Sequence, residues 1–130
     1  MNVYERAWNK KYIKFIRKYK HLCSWYAVSK NPNITISMID ENPDMNWDWD
    51  AISWNHSTDI DRIENNLDRP WNWKGLSWNK NITLEFFDKH PDKEWDYHGL
   101  MWNSDDAINI VAKYPDKPWN WSAVSTKAKI

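Results

Sequence analysis

The residues of this 130-residue chain whose types could serve catalysis or metal binding are four histidines, one cysteine, a recurring serine and an adjacent pair of carboxylates. His21, His56, His90 and His98 make no H-x-x-x-H spacing, and Cys23 has no second cysteine beside it. Zinc sites draw their ligands at short, regular Cys and His spacings, so no metal is expected. The lone thiol can make no intramolecular disulfide. Asp105 and Asp106 have the chemistry of a general acid–base pair, but helix capping is the plainer use of them. Ser29, Ser53, Ser77 and Ser125 fall in one column of a recurring pattern. A catalytic serine needs a base and an oxyanion site of its own. A serine that returns with the pattern points instead to local hydrogen bonds near a helix end. Gly75 and Gly99 are the only glycines, so there is no glycine-rich phosphate loop. The expectation is a protein without catalysis, metal or cofactor.

The serines belong to a larger regularity. W-x-W pairs begin at Trp47, Trp71 and Trp119, and Trp95-Asp96-Tyr97 fills the remaining place, so every start is evenly spaced from the last. Stepping back from Trp47 by the same interval reaches Cys23, with Trp25 in the second slot. Four units follow (23–46, 47–70, 71–94 and 95–118), and a half-unit covers 119–130. Periods of this size mark architectures in which each unit buries its apolar face only against its neighbours.

Each column has a physical reading. Ser24, Asp48, Asn72, Asp96 and Asn120 are all strong N-cap residues. The ring that follows each (Trp25, Trp49, Trp73, Tyr97, Trp121) shares a helix face with Val28, Ile52, Leu76, Leu100 or Val124, three residues on. Ala27, Ala51, Gly75, Gly99 and Ala123 keep the column between them small, so that neighbouring backbones approach closely. Asn31, Asn55, Asn79 and Asn103 end this first short helix. A second helix follows, capped by Asn33, Ser57, Asn81 and Asp105, or two residues later by Thr35, Asp59 and Thr83. Its apolar face runs Ile36/Met38/Ile39, Ile60/Ile63, Leu84/Phe86/Phe87 and Ile108/Ile110/Val111. Pro43, Pro91 and Pro115 stop it, and Leu67 leaves a weaker stop in the second unit. The W-x-W alternation is also a strand signal, which leaves a strand-plus-helix unit as the alternative.

These elements predict a mainly α chain: a short α-solenoid of four two-helix Trp-rich units plus a half-unit, with residues 1–22 as an N-terminal capping helix. Tyr12, Ile13, Phe15, Ile16 and Tyr19 supply the apolar side of that helix. Trp47, Trp71, Trp95 and Trp119 in one column, and Trp25, Trp49, Trp73 and Trp121 in the other, are expected to form buried ladders.

The formal net charge is zero, yet residues 1–22 hold seven basic residues against Glu5 alone, leaving the rest of the chain at −6. Arg6, Lys10, Lys14, Arg17 and Lys18 can share one helix face and meet phosphates or an acidic partner. A solvated face is the plainer reading, and a membrane-anchoring role ranks last because it needs a stronger apolar face. The third Trp column, Trp54, Trp78 and Trp102, ends in Lys30 and Thr126 and so tolerates polarity. An exposed aromatic column there is a candidate binding surface; packing between units is the alternative. Outward columns such as Tyr26, Asp50, Lys74, His98 and Ser122 vary most.

The stretch Trp71 to Asn79, WNWKGLSWN, followed by KNITLEFFDKHPDKEW to Trp95, resembles the Trp-rich tandem repeats of proteins from giant nucleocytoplasmic DNA viruses. The resemblance covers 23 to about 125, and departs from the pattern at Cys23, Leu67, Tyr97 and Met101. It implies a viral protein acting in an infected cell or virion, and it brings no catalytic residues. The functional expectation is a non-catalytic scaffold for protein partners, monomeric or a weak homodimer, with nucleic acid as a second partner class through the basic helix. With no run of 18 apolar residues, no membrane span is expected. With no apolar leader, an intracellular location is expected.

Overall fold

The computed structural model describes residues 3–55 and 58–127. His56, Ser57 and the last three residues of the half-unit lie outside the described residues. The chain is mainly helical, with no strand among the described residues. After α1 (Val3–Lys18), short helices alternate in two kinds. The first kind comprises α2 (Trp25–Lys30), α4 (Trp49–Ser53), α6 (Trp73–Leu76), α8 (Tyr97–Asn103) and α10 (Trp121–Lys127). The second comprises α3 (Ile36–Glu41), α5 (Ile60–Glu64), α7 (Leu84–Lys89) and α9 (Ala107–Lys113). The strand alternative for W-x-W therefore falls: the first ring precedes the cap, and the second ring is the first helical residue.

The caps explain why such short helices hold. Ser24, Asp48, Asn72, Asp96 and Asn120 each accept from the backbone N–H three residues on, at 3.1–3.3 Å. For the second kind the later cap set is the one used: Thr35, Asp59 and Thr83 accept at 3.1, 2.7 and 3.1 Å. In the fourth unit Ala107 occupies that place and cannot cap, so α9 starts one residue earlier behind Asp106. Ala107 is buried there, and Ile110 and Val111 are buried as Met38/Ile39 and Phe86/Phe87 are. Ile108 is exposed, contrary to its expected place on the buried face, because its column lies at the edge of that face, where Ile36, Ile60 and Leu84 are only half-buried. Where Pro follows the C-cap, Asn42, His90 and Tyr114 leave the helical region, with φ between −135° and −124°. A proline disfavours the α conformation in the residue before it. In the second unit, where Leu67 stands in the proline's place, α5 ends one residue earlier, with its C-cap at Asn65 (φ −77°, ψ −4°).

Successive helices of each kind pack together, α2 on α4, α4 on α6, α8 on α10 and α7 on α9. Three contacts recur between them. First, each second-slot ring meets the next first-slot ring edge-on. Trp25–Trp47, Trp49–Trp71, Trp73–Trp95 and Tyr97–Trp119 have centroids 5.1–5.5 Å apart at 78–86°. Edge-to-face geometry sets the positive edge of one ring on the negative face of the other. Second, the indole N–H of Trp47, Trp71, Trp95 and Trp119 donates to the carbonyl five residues back, at 2.7–2.9 Å, sharing an acceptor past the end of the preceding helix with the backbone N–H of Met45, Arg69, Lys93 or Lys117. Cys23 has no such donor, and Trp25 makes the equivalent bond to the Lys20 carbonyl at 3.0 Å. Third, the Oγ of Ser29, Ser53 and Ser77 accepts from the backbone N–H of Asp48, Asn72 and Asp96, at 2.8 Å each. The hydroxyls of Ser53 and Ser77 also donate to the carbonyl four residues back, at 2.7 Å.

The core joins these helices in one cluster that includes Ile52, Ile63, Leu76, Phe86, Phe87, Leu100 and Ile110. Ile34 and Ile82 belong to it although they precede the caps, in the position of a hydrophobic staple. A smaller cluster of Ile16, Val28 and Met45 seats α1. Three expectations need correction. Of the Trp ladders only Trp71, Trp95 and Trp119 are buried; Trp25, Trp47, Trp49 and Trp73 are half-buried. Trp121 is 52 % exposed, because no later ring among the described residues covers it as Trp71 covers Trp49. On α1, Ile16 is buried and Tyr12 and Ile13 are half-buried, but Phe15 and Tyr19 are exposed. At about 100° per residue, Phe15 and Tyr19 turn off to one flank of Ile16, while the core takes the other.

Candidate functional site

The third Trp column lies on the surface formed by α4, α6 and α8. Trp54 and Trp78 are half-buried with ring centroids 5.9 Å apart. His98 stands 6.1 Å from Trp78 and 6.0 Å from Trp102, so the line continues through it to Trp102, which is 47 % exposed. The glycines explain the gradation. A Cβ on Gly75 would meet Trp54 at 3.0 Å, and one on Gly99 would meet Trp78 at 2.7 Å. Each of these indoles therefore lies on the bare backbone of the next first-kind helix. The position that follows Trp102 is Ala123, whose methyl occupies that seat, and Trp102 stands out into solvent. Lys30 likewise precedes Ala51. The small column makes room for an indole from the preceding unit, not for a closer backbone. The sequence carried that signal: Gly75 follows Trp54 at the same interval as Gly99 follows Trp78.

Polar contacts fix part of this line. The Trp78 Nε1–H donates to Asp96 Oδ2 at 3.1 Å, while Oδ1 of the same carboxylate caps α8. Asn72 holds the matching place one unit earlier and turns its amide N–H₂ to Asp50 at 3.1 Å. At Met101 the serine is replaced by a fully buried thioether. There the contact to α10 is made by the Lys127 ammonium, donating to the Met101 and Ser104 carbonyls at 2.6 and 3.0 Å. Burial lowers the Lys127 pKa from its ordinary value, with Asp105 opposing.

The basic candidates all lie on α1. Arg6, Lys10, Lys14 and Lys18 are exposed. Arg17 is engaged elsewhere: it donates to Asp44 at 2.7 Å and to Asn42 at 2.6 Å, tying α1 to the end of α3. The hydrogen bond to Asp44 raises the Arg17 pKa and lowers the Asp44 pKa. An open groove of about 390 Å³ runs between α1 and α3, with Lys10, Ile13, Lys14 and Met38 in its walls. Further acid–base pairs link α5 with α7 through Glu64 and Lys89 and α7 with α9 through Asp88 and Lys113, and Asp40 of α3 pairs with Arg69 in the turn after α5. The Tyr114 hydroxyl also donates to Asp88. Asp88 titrates below the usual carboxylate range chiefly because Lys113 donates to it, and Lys113 and Tyr114 are raised in return.

The residues singled out for chemistry are not brought together. His90 packs among Trp73 and Phe86, 3.6 Å from Glu64, whereas His98 lies on the aromatic line. Asp106 is committed to the Leu84 N–H and the Asn109 amide, both at 2.6 Å. Among the described residues no group of three His, Cys, Asp or Glu side chains is placed to hold a metal ion. No helix among them is long and apolar enough to cross a membrane. Comparison with models of known families, with curated proteins and with solved structures finds no match to this chain.

Proposed function

We propose that the chain is a short α-solenoid of four two-helix units whose work is to bind a protein partner along the line Trp54, Trp78, His98 and Trp102. The stacking is supported by contacts that return from unit to unit. Each Ser hydroxyl meets the cap of the next unit, and the edge-on ring pair recurs at Trp25–Trp47, Trp49–Trp71 and Trp73–Trp95. One observation carries the binding reading: Trp102 stands half out of the surface at the end of a continuous aromatic line. Trp is enriched where interface energy concentrates. The resemblance of the Trp71–Trp95 stretch to giant-virus repeat proteins supports a partner in an infected cell or virion. Trp102→Ala removes a side chain that is about half exposed. It is expected to leave denaturation within about 0.5 kcal/mol of wild type while abolishing capture of a defined partner from nuclease-treated lysate. Unchanged capture by the folded variant would remove this face from the function.

A second reading is favoured by the exposed Arg6, Lys10, Lys14 and Lys18 on α1. If that face holds nucleic acid, log affinity falls with log salt at a slope of about 0.9 per phosphate contacted. With Arg17 tied to Asp44, four contacts give a slope of about 3.6, where five would give about 4.5.

A further inference from the structure

The outward side of α1 joins two features that the sequence pattern assigned to different jobs. Tyr4, Trp8, Phe15 and Tyr19 are exposed, as is Leu22 just beyond the helix. At about 100° per residue the four rings fall within roughly 60° of each other, a single stripe along the whole helix. Trp8 stacks on the half-buried Tyr12 at 4.9 Å, and Phe15 lies 5.0 Å from Tyr19, so the rings also support one another. Lys11 and Lys18 border the stripe on its outer side, and Lys14 and Lys10 come next around the helix. All four of these lysines are exposed.

We infer that α1 is a surface-binding helix for an anionic lipid bilayer, lying in the plane of the interface. Four observations select this occupant. Trp and Tyr favour the boundary between headgroups and acyl chains, and lysine stems can lie along apolar surface with the charge in water. The basic residues of this segment are five lysines and two arginines, and one arginine is already held by Asp44. Lysine is a point charge suited to a diffuse anionic surface, whereas forked recognition of single phosphates or carboxylates favours arginine. The remaining chain carries −6, so an anionic plane attracts α1 and repels the body, which orients the molecule with α1 against the membrane. A second copy of the same stripe would bring Lys11 and Lys18 against their own kind. The inference is independent of the Trp102 face.

The test is co-sedimentation of the full chain with pure phosphatidylcholine vesicles and with mixed phosphatidylcholine–phosphatidylserine vesicles. One variant carries Trp8→Ser with Phe15→Ser, and a second carries Lys11→Gln with Lys18→Gln. These side chains are exposed, and unchanged circular dichroism verifies each fold. Wild type is expected to pellet with the mixed vesicles and to stay in solution with phosphatidylcholine alone. Each lysine removed is expected to weaken binding by about five-fold, and the aromatic variant is expected to lose binding even at low salt. Failure of wild type to pellet with the mixed vesicles at low salt overturns the inference. So does an aromatic variant that binds like wild type, which would reduce the contact to charge alone. Binding of a single-stranded RNA oligonucleotide without vesicle binding gives α1 to nucleic acid and overturns it as well.

Discussion

Gly99→Ala sets two effects of opposite sign against each other. Alanine in place of glycine inside a helix stabilises by about 1 kcal/mol through backbone entropy. Gly99 is a buried residue of α8 with negative φ, so nothing in its own backbone opposes the change. The opposition comes from Trp78. The new methyl would lie 2.7 Å from Nε1 and 2.9 Å from Cδ1 and Cε2, well inside ordinary van der Waals contact, so the indole must retreat. Retreat stretches the 3.1 Å bond to Asp96 and lifts the ring from its seat, towards the exposed arrangement of Trp102 over Ala123. Overpacking of this kind costs about 1–3 kcal/mol. The single variant should therefore be destabilised, by up to about 2 kcal/mol after the helix gain is subtracted. In a Trp78→Ala background the obstacle is gone, and the same Gly99→Ala change should stabilise by up to about 1 kcal/mol. Urea denaturation of the four proteins of this cycle, followed by circular dichroism at constant slope, reads both numbers. If Gly99→Ala has the same sign with and without Trp78, the glycine is not there to seat the indole and the reasoning fails.

Two further perturbations follow from the same contacts. Ser77→Ala leaves the Asp96 N–H without its acceptor and should cost about 2 kcal/mol, whereas Ser125→Ala, exposed and bonded to the Trp121 carbonyl, should stay within about 0.5 kcal/mol in the same denaturation assay. Asp88 has a folded pKa below its unfolded value, so its contribution to stability is present above the ordinary carboxylate range and is lost as pH falls through the folded value. Asp88→Asn should flatten the acid limb of a stability–pH curve, and an unchanged limb would deny the Lys113 pairing. Lys113 and Tyr114 are raised, so their contribution is present below their ordinary values and fades as alkaline pH passes the folded ones.

Local chemistry was the most legible layer of the sequence. The five N-caps could be read because a cap is a bond across three residues, set by residue type alone. Residue type alone does not choose Thr35, Asp59 and Thr83 over Asn33, Ser57 and Asn81, since both sets have the right chemistry and the apolar face decides where the helix must start. Ile108 shares a column with the half-buried Ile36, Ile60 and Leu84 at the edge of the apolar face, and an apolar side chain does not by itself tell edge from core. Partnership between neighbouring units was legible only as periodicity. Residue type and period point the serine column to a bond near its own helix end, which Ser77 makes, whereas its second bond to the next cap depends on how neighbouring units pack. The glycines were read as space for backbone, when the neighbouring column of tryptophans named what fills it. On α1 the composition announced both a basic and an aromatic face, and helical geometry turned Phe15 and Tyr19 away from the core.

The serine bridge has a consequence for how a chain of this kind can change its length. Each hydroxyl reaches the next unit's cap, each second-slot ring reaches the next first-slot ring, and each seated indole reaches the next unit's glycine. Every one of these contacts has its own fixed offset along the chain, and all of them survive an excision only if it removes a whole period. Cutting out residues 71–94 would hand Ser53 the Asp96 N–H, Trp49 the Trp95 ring and Trp54 the bare backbone of Gly99, each a like-for-like exchange. A cut one residue shorter would misalign all three at once. A change of length that keeps all three contacts is therefore a change by one whole period, and Met101, which has no hydroxyl, marks a junction where the serine bond is missing.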